Sequence, residues 1–144
     1  MNLDDIRSKI EVLEANHVQI RRLREMSEAD FASDPAYFDS TLHRLQTSVQ
    51  ALLDMAAYVT AALGMPSPRT SGDLVRLLEE GGYVRAEDAT RYRRMVAFRN
   101  RIVHLYNRID AGIVYQMLHD HADDFDRFRE TLIAIIVEHP DSAR

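Results

Sequence analysis

At 144 residues the chain suits a single domain, 1–144, and a domain of that size buries roughly 68–70% of the surface its unfolded form exposes, so neither metal nor disulfide is needed to hold it together. It contains no cysteine, which excludes a disulfide scaffold and a cysteine-ligated zinc site. A net charge of −5 speaks against a general nucleic-acid binder. The acidic start, Met1-Asn2-Leu3-Asp4-Asp5, is unlike a signal peptide, and the apolar run Leu132 to Val137 is far short of the roughly 20 residues of a membrane span; the expected location is the cytoplasm.

Apolar spacings of three and four through Leu3, Ile6, Ile10, Leu13, His17 and Ile20 predict a first helix over about 2–26. A polar stretch follows. Asp34-Pro35 reads as an N-cap with proline at the first helical position. Phe38, Leu42, Leu45, Val49, Leu52, Ala56, Val59 and Leu63 then form one long stripe, which Gly64 and Pro66 end. Thr70 and Asp73 fit a capping box that opens a short helix through Leu74, Leu77 and Leu78, stopped by Gly81-Gly82. The next helix starts near Ala86 and carries Met95, Phe98, Ile102 and Leu105 on its core stripe. Asp110 caps the last helix, with Val114, Leu118, Phe125, Phe128, Leu132 and Ile136 inward and Pro140 closing it. The expected fold is all-α, an up-and-down bundle of four main helices plus a short connecting helix. The second and last helices are apolar on more than one face, which predicts a homodimer.

Arginine almost replaces lysine, since Lys9 is the only lysine, and seven arginines fall between Arg85 and Arg108 against Glu87 and Asp88 alone. The Asp110 cap ends the preceding helix around 105 to 108, which puts His104 and Tyr106 in its last turn. At 100° per residue Asn100 and His104 share a face, while Arg99 lies between Met95/Ile102 and Val96/Val103 with Tyr106 in nearly the same direction. An arginine on an apolar line must find an anion or acceptors, because an unpaired buried charge is costly. A structural salt bridge satisfies that need, and a solvated face accounts for Asn100 and His104. Taken jointly, a guanidinium that stabilises phosphate charge and an imidazole that moves protons near neutral pH are the ingredients of metal-independent RNA cleavage. One arginine and one histidine make a thin site; two copies facing across a dimer axis supply two of each.

The remaining candidates are weaker. His17 and His121 sit on apolar stripes and read as rim residues with one hydrogen bond each rather than as metal ligands. His119 and His121, two apart, point in different directions. Asp123, Asp124 and Asp126 read as a solvated face without the spacing of a calcium loop, and Gly81-Gly82 lacks the lysine of a phosphate-binding loop.

Around Arg99, Asn100, Arg101, Ile102, Val103, His104, Leu105 and Tyr106 the sequence resembles the HepT family of toxins within the HEPN group of helical nucleases, whose motif is Arg, four residues, His, one residue, Tyr. Phe98 before the arginine, Ile109-Asp110 after the tyrosine, and the long helix after Asp34-Pro35 with Leu45-Gln46 and Ala51-Leu52-Leu53-Asp54 are similar too. The resemblance implies the toxin ribonuclease of a type VII-like toxin–antitoxin pair, needing no cofactor. It implies a homodimer with Arg99, Asn100 and His104 at a cleft between subunits and an RNA substrate, tRNA among the candidates. It also implies a partner, an MntA-like nucleotidyltransferase antitoxin that joins it in a higher complex and silences it by attaching AMP to Tyr106. Two other functions fit the same fold. One is a non-catalytic helical subunit that binds substrate or nucleotide for a nucleotidyltransferase, which the acidic total charge favours. The other is a dimeric scaffold in which Arg99 and His104 are dispensable.

Overall fold

The computed structural model describes residues 2–105 and 108–139, with Leu105 defined in its backbone only. Among them the helices are α1 (Leu3–Glu25), α2 (Glu28–Ala32), α3 (Pro35–Ala62), α4 (Ser71–Glu80), α5 (Ala86–Leu105) and α6 (Ala111–Glu138), and there is no strand. The expected helical bundle is therefore what forms, with one helix more than the sequence suggests.

The helix starts follow from side-chain chemistry. The first N–H groups of a helix have no partner within it, and a short polar side chain supplies one. The Asp34 carboxylate accepts from the Ala36 N–H at 2.9 Å, with Pro35 at the first position. Thr70 and Asp73 cap α4 reciprocally, the Thr70 hydroxyl accepting from the Asp73 N–H at 3.3 Å. The Asp73 carboxylate accepts from the backbone N–H groups of Arg69 (2.9 Å) and Thr70 (3.2 Å), and those two bonds chiefly hold its carboxyl below the usual range. At the far end of α3, Gly64 takes φ +72°, a left-handed turn that lets the Met65 N–H reach back to the Thr60 carbonyl at 3.0 Å.

The extra helix, α2, lies in the polar stretch after α1. Ser27 caps it, accepting from the Asp30 N–H at 3.1 Å, and Phe31 is buried against the Tyr115 ring at 5.4 Å. The Tyr115 hydroxyl donates to the Met26 carbonyl at 2.8 Å, which closes α2 onto α6.

Helix α3 is the axis of the molecule, packing against all five other helices. Its apolarity on several faces is thus used within one copy of the chain, so α3 does not by itself call for a partner. A polar pin aligns it with α1. Asn16, almost fully buried, donates to the hydroxyls of Thr47 (2.8 Å) and Ser48 (2.9 Å), and its carbonyl accepts from Arg44 at 3.1 Å. Buried polar groups need such partners, and here they also set the register of the two helices.

Helix α5 packs against α3, α4 and α6. Tyr92, Met95 and Ile102 are buried. The Tyr92 ring stacks on Phe128 of α6 at 4.1 Å and its hydroxyl meets that of Thr131 at 3.3 Å. Burial, above all, pushes the Tyr92 hydroxyl up from its ordinary range. Ile109 is buried just past the end of α5, and Asp110 caps α6 by accepting from the Gly112 N–H at 2.7 Å. The part of α5 that bears Arg99, Asn100 and His104 is thus anchored by the core residues Tyr92, Met95 and Ile102.

Candidate active site

Arg99 is half-buried on α5 among the buried side chains of Met95, Val96 and Ile102. Among the described residues its guanidinium finds no carboxylate. Nη2 donates to the side-chain carbonyl of Gln50 on α3 at 2.6 Å, and Nη1 donates to that of Asn100 at 3.1 Å. Nε is buried with no hydrogen-bond partner among the described residues. The salt bridge that would account for this arginine structurally is therefore absent among the described residues, and its positive charge is held by two neutral amides.

The amide partner has a partner of its own. Gln50 donates through Nε2 to Asp54 Oδ1, one turn along α3, at 2.9 Å. The other oxygen of Asp54 pairs with Lys9 Nζ of α1 at 3.0 Å. Four side chains from three helices thus run in series from Lys9 to Arg99. The sequence alone assigns no site role to Gln50, Asp54 or Lys9. The available signal was two polar residues four apart within the apolar run Val49 to Met55.

Asn100 turns its carbonyl toward Arg99, whereas His104 is exposed. Helical geometry puts Arg99 and His104 about 140° apart around α5. One copy of the chain thus presents a guanidinium toward α3 and an imidazole toward solvent. Tyr106 lies outside the described residues.

The arginine cluster divides in two. Arg91 pairs with Asp88 at 3.2 Å and Arg93 with Glu79. Arg85, Arg94, Arg101 and Arg108 are exposed and have no ion-pair partner among the described residues. Arg94 and Arg101 line a groove of about 350 Å³ between α5 and α6, together with the apolar Phe98, Ile113 and Met117 and with a single carboxylate, Asp120. Such guanidinium groups beside apolar side chains suit an anionic polymer better than a neutral one.

Elsewhere the histidines behave as rim residues. His17 meets Asp126 at 3.2 Å and His121 meets Asp124 at 3.3 Å. The Asp123–Asp126 stretch is thus partly spent on ion pairs, Asp123 pairing with Arg24 at 2.9 Å, and is not simply solvated. Among the described residues no group of three or more His, Asp or Glu side chains is placed to hold a metal ion, and no helix is long and apolar enough to cross a membrane.

Comparison with known proteins bears on this geometry. Residues 13–132 match the family model described as ribonuclease HepT-like. The mRNA nuclease HepT of Shewanella oneidensis is 26% identical over 117 residues, which cover 80% of this chain and 88% of that protein. A solved structure of a tri-AMPylated Shewanella oneidensis HEPN toxin in complex with an MNT antitoxin superposes with a TM-score of 0.82 at 26% identity, covering 93% of this chain and 99% of that one. A toxin–antitoxin structure with AMP-PNP superposes with a TM-score of 0.81 at 25% identity, covering 92% and 99%.

Proposed function

The chain belongs to the HepT-like ribonuclease family, and we propose that residues 1–144 act as one domain, the toxin of a toxin–antitoxin pair, which cleaves RNA in the cytoplasm at a site built from Arg99, Asn100 and His104. The observation that carries this reading is the state of Arg99: a half-buried guanidinium held by neutral amides, with its charge left for a substrate.

The chemistry needs no metal. The 2′-oxygen of a ribose attacks the adjacent phosphorus, its proton passing to a base, and the 5′-oxygen leaves as it takes a proton. Charge gathers on the non-bridging oxygens as the new P–O bond forms, and Arg99 sits where it can stabilise that charge. His104 takes the 2′-hydroxyl proton or protonates the leaving oxygen, tasks suited to an imidazole. Asn100 holds the Arg99 head group in place. The wide angle between Arg99 and His104 favours a homodimer in which each phosphate is shared by the Arg99 of one copy and the His104 of the other. Val103 and Ile113, large apolar residues near the site that are 42% and 45% exposed, offer such a contact its surface.

The partner in this reading is an MntA-like nucleotidyltransferase, as in the toxin–antitoxin complexes that this chain resembles. The antitoxin transfers AMP to Tyr106: the phenolic oxygen attacks the α-phosphorus of ATP and pyrophosphate leaves. A phosphodiester and a base added seven residues along the sequence from Arg99 compete with RNA for the guanidinium, by charge and by bulk.

The test is growth upon induction of wild type, Arg99→Ala and His104→Ala without the antitoxin, with RNA extracted from each. Wild type should stop growth and fragment RNA, and both variants should be harmless. A harmless wild type, or equal toxicity of His104→Ala, refutes the ribonuclease site and leaves the non-catalytic subunit as the better account. Co-expression with the antitoxin should add the mass of AMP to the peptide containing Tyr106; an unchanged mass removes the modification claim.

A further inference from the structure

We infer that Gln50 is a positioning residue for Arg99, a neutral clamp that fixes the guanidinium and keeps the nearby carboxylate of Asp54 from neutralising it. The inference rests on the ribonuclease reading of Arg99 and extends it to α3 and α1. An ionised carboxylate only accepts hydrogen bonds. Asp54 therefore requires the amide nitrogen of Gln50, and the 2.9 Å contact between Nε2 and Oδ1 fixes which way the amide points. With the nitrogen committed, the amide oxygen has to face Arg99, as its 2.6 Å contact with Nη2 shows. Lys9 holds the other carboxylate oxygen at 3.0 Å and so keeps Asp54 engaged away from the guanidinium.

This arrangement separates orientation from charge. An acidic residue at position 50 would hold Arg99 equally well, but as a bidentate ion pair that a phosphate would have to displace. An apolar residue there would leave the charge free and the head group unaimed. Glutamine does neither. Asn100 completes the clamp from α5 itself, and it too offers a carbonyl rather than a carboxylate.

Gln50→Glu, Gln50→Met and Asp54→Asn test the assignment in the purified full-length protein. Cleavage is followed on an end-labelled mRNA transcript made in vitro, and binding on a 2′-O-methylated oligoribonucleotide that cannot be cut. Gln50→Glu should lose about 10²-fold in kcat/KM, with weaker oligonucleotide binding, because the new ion pair competes with phosphate, and its carboxylate beside that of Asp54 should lower the melting temperature. Gln50→Met should lower kcat about tenfold with binding nearly unchanged, since the charge remains but its aim is lost. Asp54→Asn, which frees the amide to flip, should fall between wild type and Gln50→Met. In an Arg99→Ala background none of the three should reduce cleavage further.

Should Gln50→Glu fail to fold, the other two variants decide. If folded Gln50 variants cleave like wild type while Arg99→Ala keeps only a small residual activity, the clamp is refuted and the ribonuclease site stands. An equal loss from Gln50→Met with and without Arg99 makes its role purely structural and refutes the clamp as well. If Arg99→Ala itself cleaves like wild type, the reading of the site falls and takes the clamp with it.

Discussion

Arg99 and His104 leave α5 about 140° apart, the arginine toward α3 and the histidine toward solvent. Two groups so arranged on one rigid helix meet a single phosphate most easily when each comes from a different copy. Mixing Arg99→Ala with His104→Ala protein should then restore activity that neither variant has alone. Random exchange makes half the dimers mixed, each with one intact shared site, so about a quarter of wild-type activity should return. No recovery after demonstrated subunit exchange would place both groups in one copy.

The guanidinium groups of Arg94 and Arg101, exposed and without an ion-pair partner among the described residues, lead to a prediction about salt. Removing one arginine that binds a phosphate of single-stranded RNA should flatten the dependence of log affinity on log salt by about 0.7. Arg94→Ala and Arg101→Ala should each weaken binding at low salt, with a shallower slope, while the single-turnover cleavage rate at saturating enzyme stays close to wild type. Titration of the 2′-O-methylated oligonucleotide at several salt concentrations measures this. Arg91→Ala, which removes a guanidinium already paired with Asp88, is the comparison and should change the slope least.

Tyr92 couples the motif helix to α6, and its ring and its hydroxyl can be separated by mutation. Tyr92→Phe keeps the stack on Phe128 and removes the bond to Thr131, a cost of about 1 kcal/mol. Tyr92→Ala leaves a cavity in the core and should cost about 3–5 kcal/mol. Urea denaturation of both variants checks the ratio. Similar losses for both would place the hydroxyl, rather than the ring, in command.

Acid should act on α4 through Asp73. The bonds from the Arg69 and Thr70 N–H groups lower its pKa in the folded chain. A carboxyl depressed by folding contributes stability that is present above its unfolded pKa and is lost as pH falls through its folded one. The stability difference between wild type and Asp73→Asn should therefore hold at neutral pH and shrink below about pH 4. Denaturation midpoints of the two proteins across that range give the result; a difference that grows in acid would reverse the sign.

How much of the molecule is legible in its sequence depends on distance along the chain. The starts of α3, α4 and α6 can be read because Asp34, Thr70 and Asp110 act on N–H groups two or three residues away. Helix α2 escapes because five residues are too few to show a period, and only the Ser27 cap marks it. The apolar faces of α3 are legible as apolar, but not as facing neighbours inside the same chain; that follows from its central position, which no local pattern encodes. In the site, the spacing of Arg99, Asn100 and His104 is plain in the sequence. What holds Arg99 is not, because Gln50 lies 49 residues away and their contact depends on how α3 and α5 are packed.

Lys9 is the sole lysine of the chain and its amine ends the series that leads to Arg99. The Lys9 side chain is 32% exposed, so small reagents can reach it. Acylating reagents, usually indiscriminate, therefore have one side-chain amine to target here. Capping it would strip Asp54 of its counter-ion and alter the electrostatic field around Gln50. A label meant only to make the protein visible would thus double as a reporter, wired from α1 through α3 toward the guanidinium of α5.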